Sequence, residues 1–111
     1  MRKLSIKKQL EILALARETK SKGINTGMCA CLDYAHKILC PKRHERFYLN
    51  NNPNEIIPLF TPGNVRRLSI EYGFIPPFDD VTYGLFWWDM HDLEVRLKVF
   101  DALITELKKQ L

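Results

Sequence analysis

The residues with most scope for chemistry lie in one short stretch, MCACLDYAHKILC at positions 28–40. It contains all three cysteines of the chain and one of its three histidines. Thiolates and imidazoles are the side chains that bind zinc, and paired thiols can also carry out redox chemistry. Either chemistry needs the sulfur and nitrogen atoms to meet at one point, so the fold of this stretch decides what it can do.

The apolar residues of the stretch repeat with the period of a helix, and a helix separates the cysteines. Cys29 and Cys31 are then about 200° apart around the axis, and Cys29 and Cys40 are about 16 Å apart along it. One ion cannot reach all three thiols, and the C-x-x-C spacing of redox helices is missing. We predict that Cys31 is a core residue, whereas Cys29, His36 and Cys40 pack at the edge of the core.

A smaller metal site stays open as an alternative. His36 and Cys40 are four residues apart on one helix face, and His44 follows across the turn at Pro41. This spacing is not typical of zinc proteins. The prediction is therefore that the chain holds no metal and no cofactor.

Acidic side chains surround His91 in the second half of the chain. Carboxylates beside a histidine can hold a divalent ion or carry out acid–base catalysis. A simpler interpretation places Asp79 and Asp80 in a turn after two prolines, and Asp92 and Glu94 at the start of a helix. The chain also lacks a P-loop, a G-x-S-x-G elbow and a dinucleotide fingerprint. We predict a binding protein rather than an enzyme.

Basic residues concentrate in the first part of the chain, although the net charge is only +4. Positions 1–46 carry 11 Lys and Arg against 4 Asp and Glu, whereas positions 47–111 carry 6 against 9. Lysine and arginine neutralise phosphates, and a neighbouring tyrosine can stack on a base. The set that this predicts for nucleic acid comprises Lys7, Lys8, Lys42, Arg43, Arg46 and Tyr48. The alternative is that these charges only keep the surface hydrated.

Two adjacent tryptophans, Trp87 and Trp88, lie in the aromatic-rich segment 74–90. Tryptophan is a frequent anchor in protein interfaces. With the nearby carboxylates, the tryptophans define the residues predicted to bind a partner protein: Trp87, Trp88, Asp79, Asp80 and Asp89. Burial of both rings in the core is the alternative.

The caps, breakers and apolar spacing predict a mainly α, compact single-domain bundle over residues 1–111. Gly23, Pro41 and Gly73 are natural helix ends, and Thr61 is a natural N-cap. An irregular, aromatic-rich segment precedes the last helix, with a small hairpin at 81–86 as the alternative. The four predicted helices span 5–22, 28–40, 62–72 and 91–111.

Two apolar stripes are predicted to face the core. The first, on the second helix, consists of Met28, Cys31, Leu32, Ala35, Ile38 and Leu39. The second, on the last helix, consists of Leu93, Leu97, Phe100, Ile104, Leu107 and Leu111. Because the second stripe covers fewer than three heptads, we expect it to pack within the fold, and we expect a monomer or weak homodimer.

The chain has no apolar run long enough to cross a membrane and no signal-peptide pattern at its start. Its odd number of cysteines does not form an evident disulfide framework. These features favour a reducing compartment, and we expect a cytoplasmic protein.

Three segments resemble small accessory proteins of phages and prophages. They are GMCACL at 27–32, IPLFTPGNV at 57–65 and WWDMHDLEVRLKVFDALI at 87–104. The order of these segments is the same in that group, and the resemblance covers about four fifths of the chain.

The resemblance implies a setting rather than a reaction. Small phage proteins often bind a host protein and block it, and anti-CRISPR proteins act in this way. The implied function is a non-enzymatic inhibitor in the host cytoplasm. Its partner would be a host protein, such as a CRISPR-Cas effector or another defence nuclease, or the guide-RNA complex of that nuclease. The alternative is a small basic nucleic-acid-binding protein.

Overall fold

The structure is a computed structural model that describes residues 3–22, 28–47, 53–74 and 93–111. Its described residues form helices and one 3₁₀ turn at Pro53–Glu55, without a β-strand. The radius of gyration, 13.1 Å, is that of a compact chain of this length. The prediction of a mainly α, compact bundle is confirmed. The α-helices are α1 (Ile6–Ser21), α2 (Met28–Leu39), α3 (Pro41–Phe47), α4 (Pro62–Tyr72) and α5 (Leu93–Lys108).

The predicted helix ends arise from local chemistry. The Ser5 hydroxyl accepts a hydrogen bond from the Lys8 backbone N–H at 3.1 Å, and Thr61 caps α4 in the same way. Pro62 occupies the first turn of α4, where a backbone donor is not needed. Gly73 ends that helix with φ 72°, in the left-handed region that glycine adopts without strain.

Pro41 ends α2 as predicted, but it also begins α3, which is not among the four predicted helices. Only Cys40 separates α2 from α3, and its backbone N–H donates to the His36 carbonyl at 2.8 Å. Its own carbonyl accepts from the His44 N–H at 2.9 Å. Cys40 therefore closes one helix and opens the next, and the chain changes direction at one residue.

Helix α1 packs against both α2 and α5. Lys8, near the start of α1, lies within electrostatic range of Cys40 at the end of α2, whereas Lys20, near its end, is close to Cys31. The two helices are therefore antiparallel. Arg17 forms a bidentate interaction with the Asp101 carboxylate of α5. Its Nε donates to Oδ1 at 2.5 Å, and its Nη2 donates to Oδ2 at 3.2 Å.

The core includes residues that lie between α3 and α4. Ile56, Ile57 and Phe60 are at most 1% exposed, although the segment 53–60 has little regular structure. They join the buried faces of α1, α2, α4 and α5 in one cluster. This irregular segment thus contributes to the core as fully as a helix does.

Both predicted apolar stripes are partly wrong. On α2, Ile38 is 54% exposed, while His36 is fully buried. Leu93 at the start of α5 is exposed, and so is Leu111, which lies beyond its end, whereas Val99 and Leu103 are buried. The reason is that α5 packs against both α1 and α4, so its core face is set by two neighbours. No helix in the described ranges is long and apolar enough to cross a membrane.

Candidate functional site

The cysteines occupy three separate environments, and all are free thiols. Cys31 is buried at 1% exposure, whereas Cys29 and Cys40 are half-buried, as predicted for these three. Burial raises the pKa of the Cys29 thiol to about 12, so it stays protonated at neutral pH. Because the thiolate is the reactive form, Cys29 has little nucleophilic or metal-binding character.

His36 lies at the centre of a buried polar cluster where α2, α3 and the 3₁₀ turn meet. Its Nε2 lies 2.9 Å from the Arg43 guanidinium, and its Nδ1 lies 3.2 Å from Nδ1 of His44. The two imidazoles meet edge to face, with ring centroids 5.3 Å apart. The prediction that His36 lies at the edge of the core is wrong, because its exposure is 0%.

The Arg43 contact determines which nitrogen of His36 carries the proton. A guanidinium can only donate, so Nε2 of His36 must accept. In the neutral ring Nδ1 then carries the hydrogen and donates it to Nδ1 of His44. Burial, reinforced by the positive charge of Arg43, lowers the pKa of His36 to about 4, so the neutral ring is the form present at pH 7.

This tautomer argues against the small metal site at His36, Cys40 and His44. A ligating Nδ1 must offer a lone pair, whereas Nδ1 of His36 points a hydrogen at its neighbour. The carboxylate nearest this site, Asp33, has its Oδ1 3.7 Å from His44 Nδ1 and makes no hydrogen bond to it. Within the described ranges, no three His, Cys, Asp or Glu side chains are arranged to hold a metal ion.

Arg43 also determines how α3 is oriented. Besides His36, its guanidinium donates to the backbone carbonyl of Glu55 at 2.8 Å, so one side chain joins α3 to α2 and to the 3₁₀ turn. Lys42 precedes Arg43 and lies about 100° from it around the helix axis, and Arg46 lies on the next turn. Lys42 and Arg46 are both exposed.

The exposed cations at this end of the molecule form the candidate site, which we call the basic end. Because α1 and α2 are antiparallel, the start of α1 lies beside the end of α2 and the adjoining α3. An open groove of about 590 Å³ between α1 and α5 is lined by both Lys7 and Lys108. The last turn of α5 therefore lies at the same end of the molecule. The basic end comprises Lys3, Lys7, Lys37, Lys42, Arg46 and Lys108, all exposed. Among the described residues, none of these six forms an ion pair.

The opposite situation holds on α4 and α5, on a surface that we call the ion-paired face. Here Arg67 lies 3.4 Å from Glu71, and Lys109 contacts Glu71 and Glu106 at 3.4 and 3.3 Å. Lys98 pairs with Glu94 one turn away at 3.3 Å. These cations are exposed too, but carboxylates on the same or the neighbouring helix pair with them.

The structure brings together part of the predicted nucleic-acid set. Lys7, Lys42 and Arg46 belong to the basic end. Lys8 is close by, but its ammonium lies 2.7 Å from the Glu11 carboxylate. Arg43 is turned into the buried cluster and holds α3 in place instead of offering its charge to solvent. Tyr48 lies outside the described residues.

The residues predicted to bind a partner protein also lie outside the described ranges. This applies to the whole predicted set, Trp87, Trp88, Asp79, Asp80 and Asp89. The same holds for His91 and Asp92 of the acidic cluster and for the predicted hairpin. Those predictions stay predictions.

Sequence reasoning missed two features of this half of the molecule. Lys20 adds to the basic count, yet it is 2% exposed, and burial lowers its pKa. Tyr34 was not singled out, yet 49% of it is exposed on α2. Its position on the helix, opposite Leu32 and Ala35, was the signal that could have identified it.

Comparison with known protein families, with curated proteins and with solved structures finds no match. The candidate site is therefore argued from its own geometry and charge.

Proposed function

We propose that this chain is a non-enzymatic binding protein and that the basic end contacts the phosphates of a nucleic acid. The observation that carries the proposal is the set of six exposed cations that pair with no carboxylate of the described residues, gathered on adjoining ends of α1, α2, α3 and α5. Each cation that neutralises a phosphate releases condensed counterions, which favours binding. Cations already paired with carboxylates offer much less.

The rigidity of α3 supports the same proposal. Lys42 and Arg46 project from a helix that Arg43 ties to two other elements by charge-assisted hydrogen bonds. Their backbone positions are therefore fixed before a ligand arrives, and less conformational freedom is lost on binding. Glu45 is an exposed carboxylate on the same short helix, and its negative charge repels a phosphate bound there.

The resemblance to phage accessory proteins adds a wider role to the proposal. In that role the chain inhibits a host protein, and the nucleic acid that it contacts is one that a defence nuclease carries, such as a guide RNA. The aromatic and acidic residues of segment 79–89 remain the proposed contacts with the protein component. The basic end is compatible with either partner.

The direct test is a salt titration of binding to a labelled single-stranded RNA. With about five phosphate contacts, log K should fall with log salt with a slope of about −3.5. The triple variant Lys37→Gln/Lys42→Gln/Arg46→Gln should lower the magnitude of that slope by about 2 to 3 and weaken binding by at least about 30-fold.

The matched control removes the same net charge from the ion-paired face, as Arg67→Gln/Lys98→Gln/Lys109→Gln. It should bind within about threefold of wild type, because its cations are already neutralised. Equal losses in both variants would mean that net charge alone governs binding, and the proposed site would be wrong.

The wider role has its own test in a pull-down from lysate of a defence-competent host. A stoichiometric host protein that stays bound after nuclease treatment supports inhibition by protein contact. Capture that disappears with nuclease leaves nucleic-acid binding as the function of the chain.

A further inference from the structure

The outer face of α2 carries an exposed aromatic ring directly beside the basic end. Tyr34 and Ile38 are 49% and 54% exposed, although most large apolar residues of this helix are buried. They are one turn apart and lie on the same side of the helix. Among the described residues, no donor or acceptor meets the Tyr34 hydroxyl.

Lys37 completes this surface. It lies three residues after Tyr34, so the two side chains are neighbours on the helix. Lys37 is exposed and forms no ion pair within the described ranges. Asp33, the residue before Tyr34, points its carboxylate toward His44. The distance from Asp33 Oδ1 to His44 Nδ1 is 3.7 Å. An aromatic ring therefore stands beside an exposed cation, while the carboxylate that precedes Tyr34 in the sequence lies toward His44.

This combination matches the chemistry of an unpaired nucleotide. A base has a flat π-face that stacks on an aromatic ring, and its phosphate is recognised by a neighbouring cation. In a duplex the bases are stacked on each other and are not available to a side chain on a helix surface. An exposed ring next to phosphate-binding cations thus favours single strands.

We propose that Tyr34 is a base-stacking platform and that the ligand of the basic end is a single-stranded nucleic acid, RNA or DNA. Lys37 contacts the phosphate of the stacked nucleotide, and Ile38 extends the apolar surface under the base. This inference rests on the proposed function, because it assigns the kind of nucleic acid that the basic end binds.

The test compares three fluorescently labelled ligands of equal length, an oligouridylate, an oligodeoxythymidylate and a duplex. Binding is followed by anisotropy for wild type, Tyr34→Phe, Tyr34→Leu and Tyr34→Ala. Loss of stacking should weaken binding of the single strands by about 5- to 100-fold in the leucine and alanine variants. Tyr34→Phe should bind like wild type because it keeps the ring.

Two controls distinguish stacking from other causes. The salt slope should not change in any Tyr34 variant, since no charge is removed. The variant Ile70→Ala removes an apolar side chain that is 81% exposed on α4, away from α2, and it should have no effect. The ratio of RNA to DNA affinity in wild type then shows which single strand is preferred.

The outcomes separate this inference from the proposal on which it rests. If Tyr34→Leu binds single strands like wild type, or if the duplex loses as much as the single strands, the stacking platform is wrong. If the Lys37, Lys42 and Arg46 triple variant also binds normally, nucleic-acid binding by the basic end is wrong as well. Each Tyr34 variant should unfold at the same temperature as wild type, because the position is half exposed. Matching thermal unfolding excludes misfolding as the cause of weaker binding.

Discussion

The basic end and the ion-paired face use the same residue types to opposite effect. Both present exposed lysines and arginines, and the adjacent residues Lys108 and Lys109 are divided between them. Among the described residues, the six cations of the basic end form no ion pair, whereas the cations on α4 and α5 pair with Glu71, Glu94 and Glu106. Counting charges along a chain therefore does not locate a phosphate-binding surface, because the partners that neutralise a charge come from other helices.

The two regions also differ in what holds them in place. The basic end depends on the cluster around His36 and Arg43, in which the His36 ring is fully buried and cannot reach water when its partner is lost. The ion-paired face depends on exposed pairs, which are individually worth little in stability. Damage to the buried cluster should therefore lower the free energy of unfolding more than damage to the exposed pairs.

The largest effect is expected for Arg43→Ala. It leaves Nε2 of His36 and the Glu55 carbonyl without their donor, which should lower the free energy of unfolding by about 2 to 4 kcal/mol. The neighbouring substitution Lys42→Ala should change it by less than about 0.5 kcal/mol. Chemical denaturation of both variants makes the comparison, and similar costs at the two positions would contradict the separation of structural and free cations.

The next effect is a pH dependence that His36 imposes. Its pKa is about 4 when folded and 6.5 for the free side chain, so the unfolded chain takes up the proton first as pH falls. As pH falls from 6.5 to 4, the free energy of unfolding should decrease by up to about 3 kcal/mol. Below pH 4, His36 should cause no further decrease. Unfolding of wild type and His36→Gln across this range is the measurement, and the variant should show a flatter curve.

The ion-paired face should respond to acid in a lower range. The Tyr72 hydroxyl and Lys109 lower the pKa of Glu106 below its usual value of 4.5, so its contribution is lost only as pH falls below that value. A stability loss in wild type that begins only below pH 4.5 would assign the acid sensitivity to the carboxylates instead of His36.

A smaller effect is expected for Tyr72→Phe. The Tyr72 hydroxyl donates to Glu106 at 3.0 Å, and its loss should cost about 1 kcal/mol of stability. The ring remains under the Lys109 ammonium, 5.5 Å from its centroid, so the packing is kept. Nucleic-acid affinity should stay unchanged, and a decrease would show that the two regions are coupled.

The smallest expected effect is a gain in nucleic-acid affinity. Glu45→Gln removes the exposed carboxylate of α3, which should strengthen nucleic-acid binding by about two- to fivefold at low salt and by less at high salt. The matched control is Glu94→Gln on the ion-paired face, which should leave binding unchanged. An equal gain in both variants would point to net charge in place of a local site.

Much of the architecture followed from local sequence signals. Thr61, Pro62 and Gly73 define the ends of α4 because capping and backbone freedom are properties of single residues. Cys31 was predicted to be buried because its position matches the apolar face of α2. Ile38 and Leu93 match a helical stripe equally well but are exposed, since periodicity does not tell how wide a face the neighbouring helices cover.

The candidate site was less accessible to such reasoning. Lys42 and Arg43 are adjacent and chemically similar, yet Lys42 is exposed while Arg43 is half-buried and hydrogen-bonded to His36 and Glu55. The direction of each depends on how α3 sits against α2, which follows from contacts between residues far apart in sequence. The same holds for Lys109, whose partner Glu71 lies on another helix.

The sequence by itself determined that this chain is a helical protein, where most of its helices begin and end, and that positive charge gathers in its first part. These properties depend on neighbours within one or two turns. Only the tertiary structure decided which cations remain free, why His36 is neutral, and that Tyr34 stands exposed beside Lys37. Burial and charge neutralisation depend on atoms brought together from separate helices, and no local pattern specifies them.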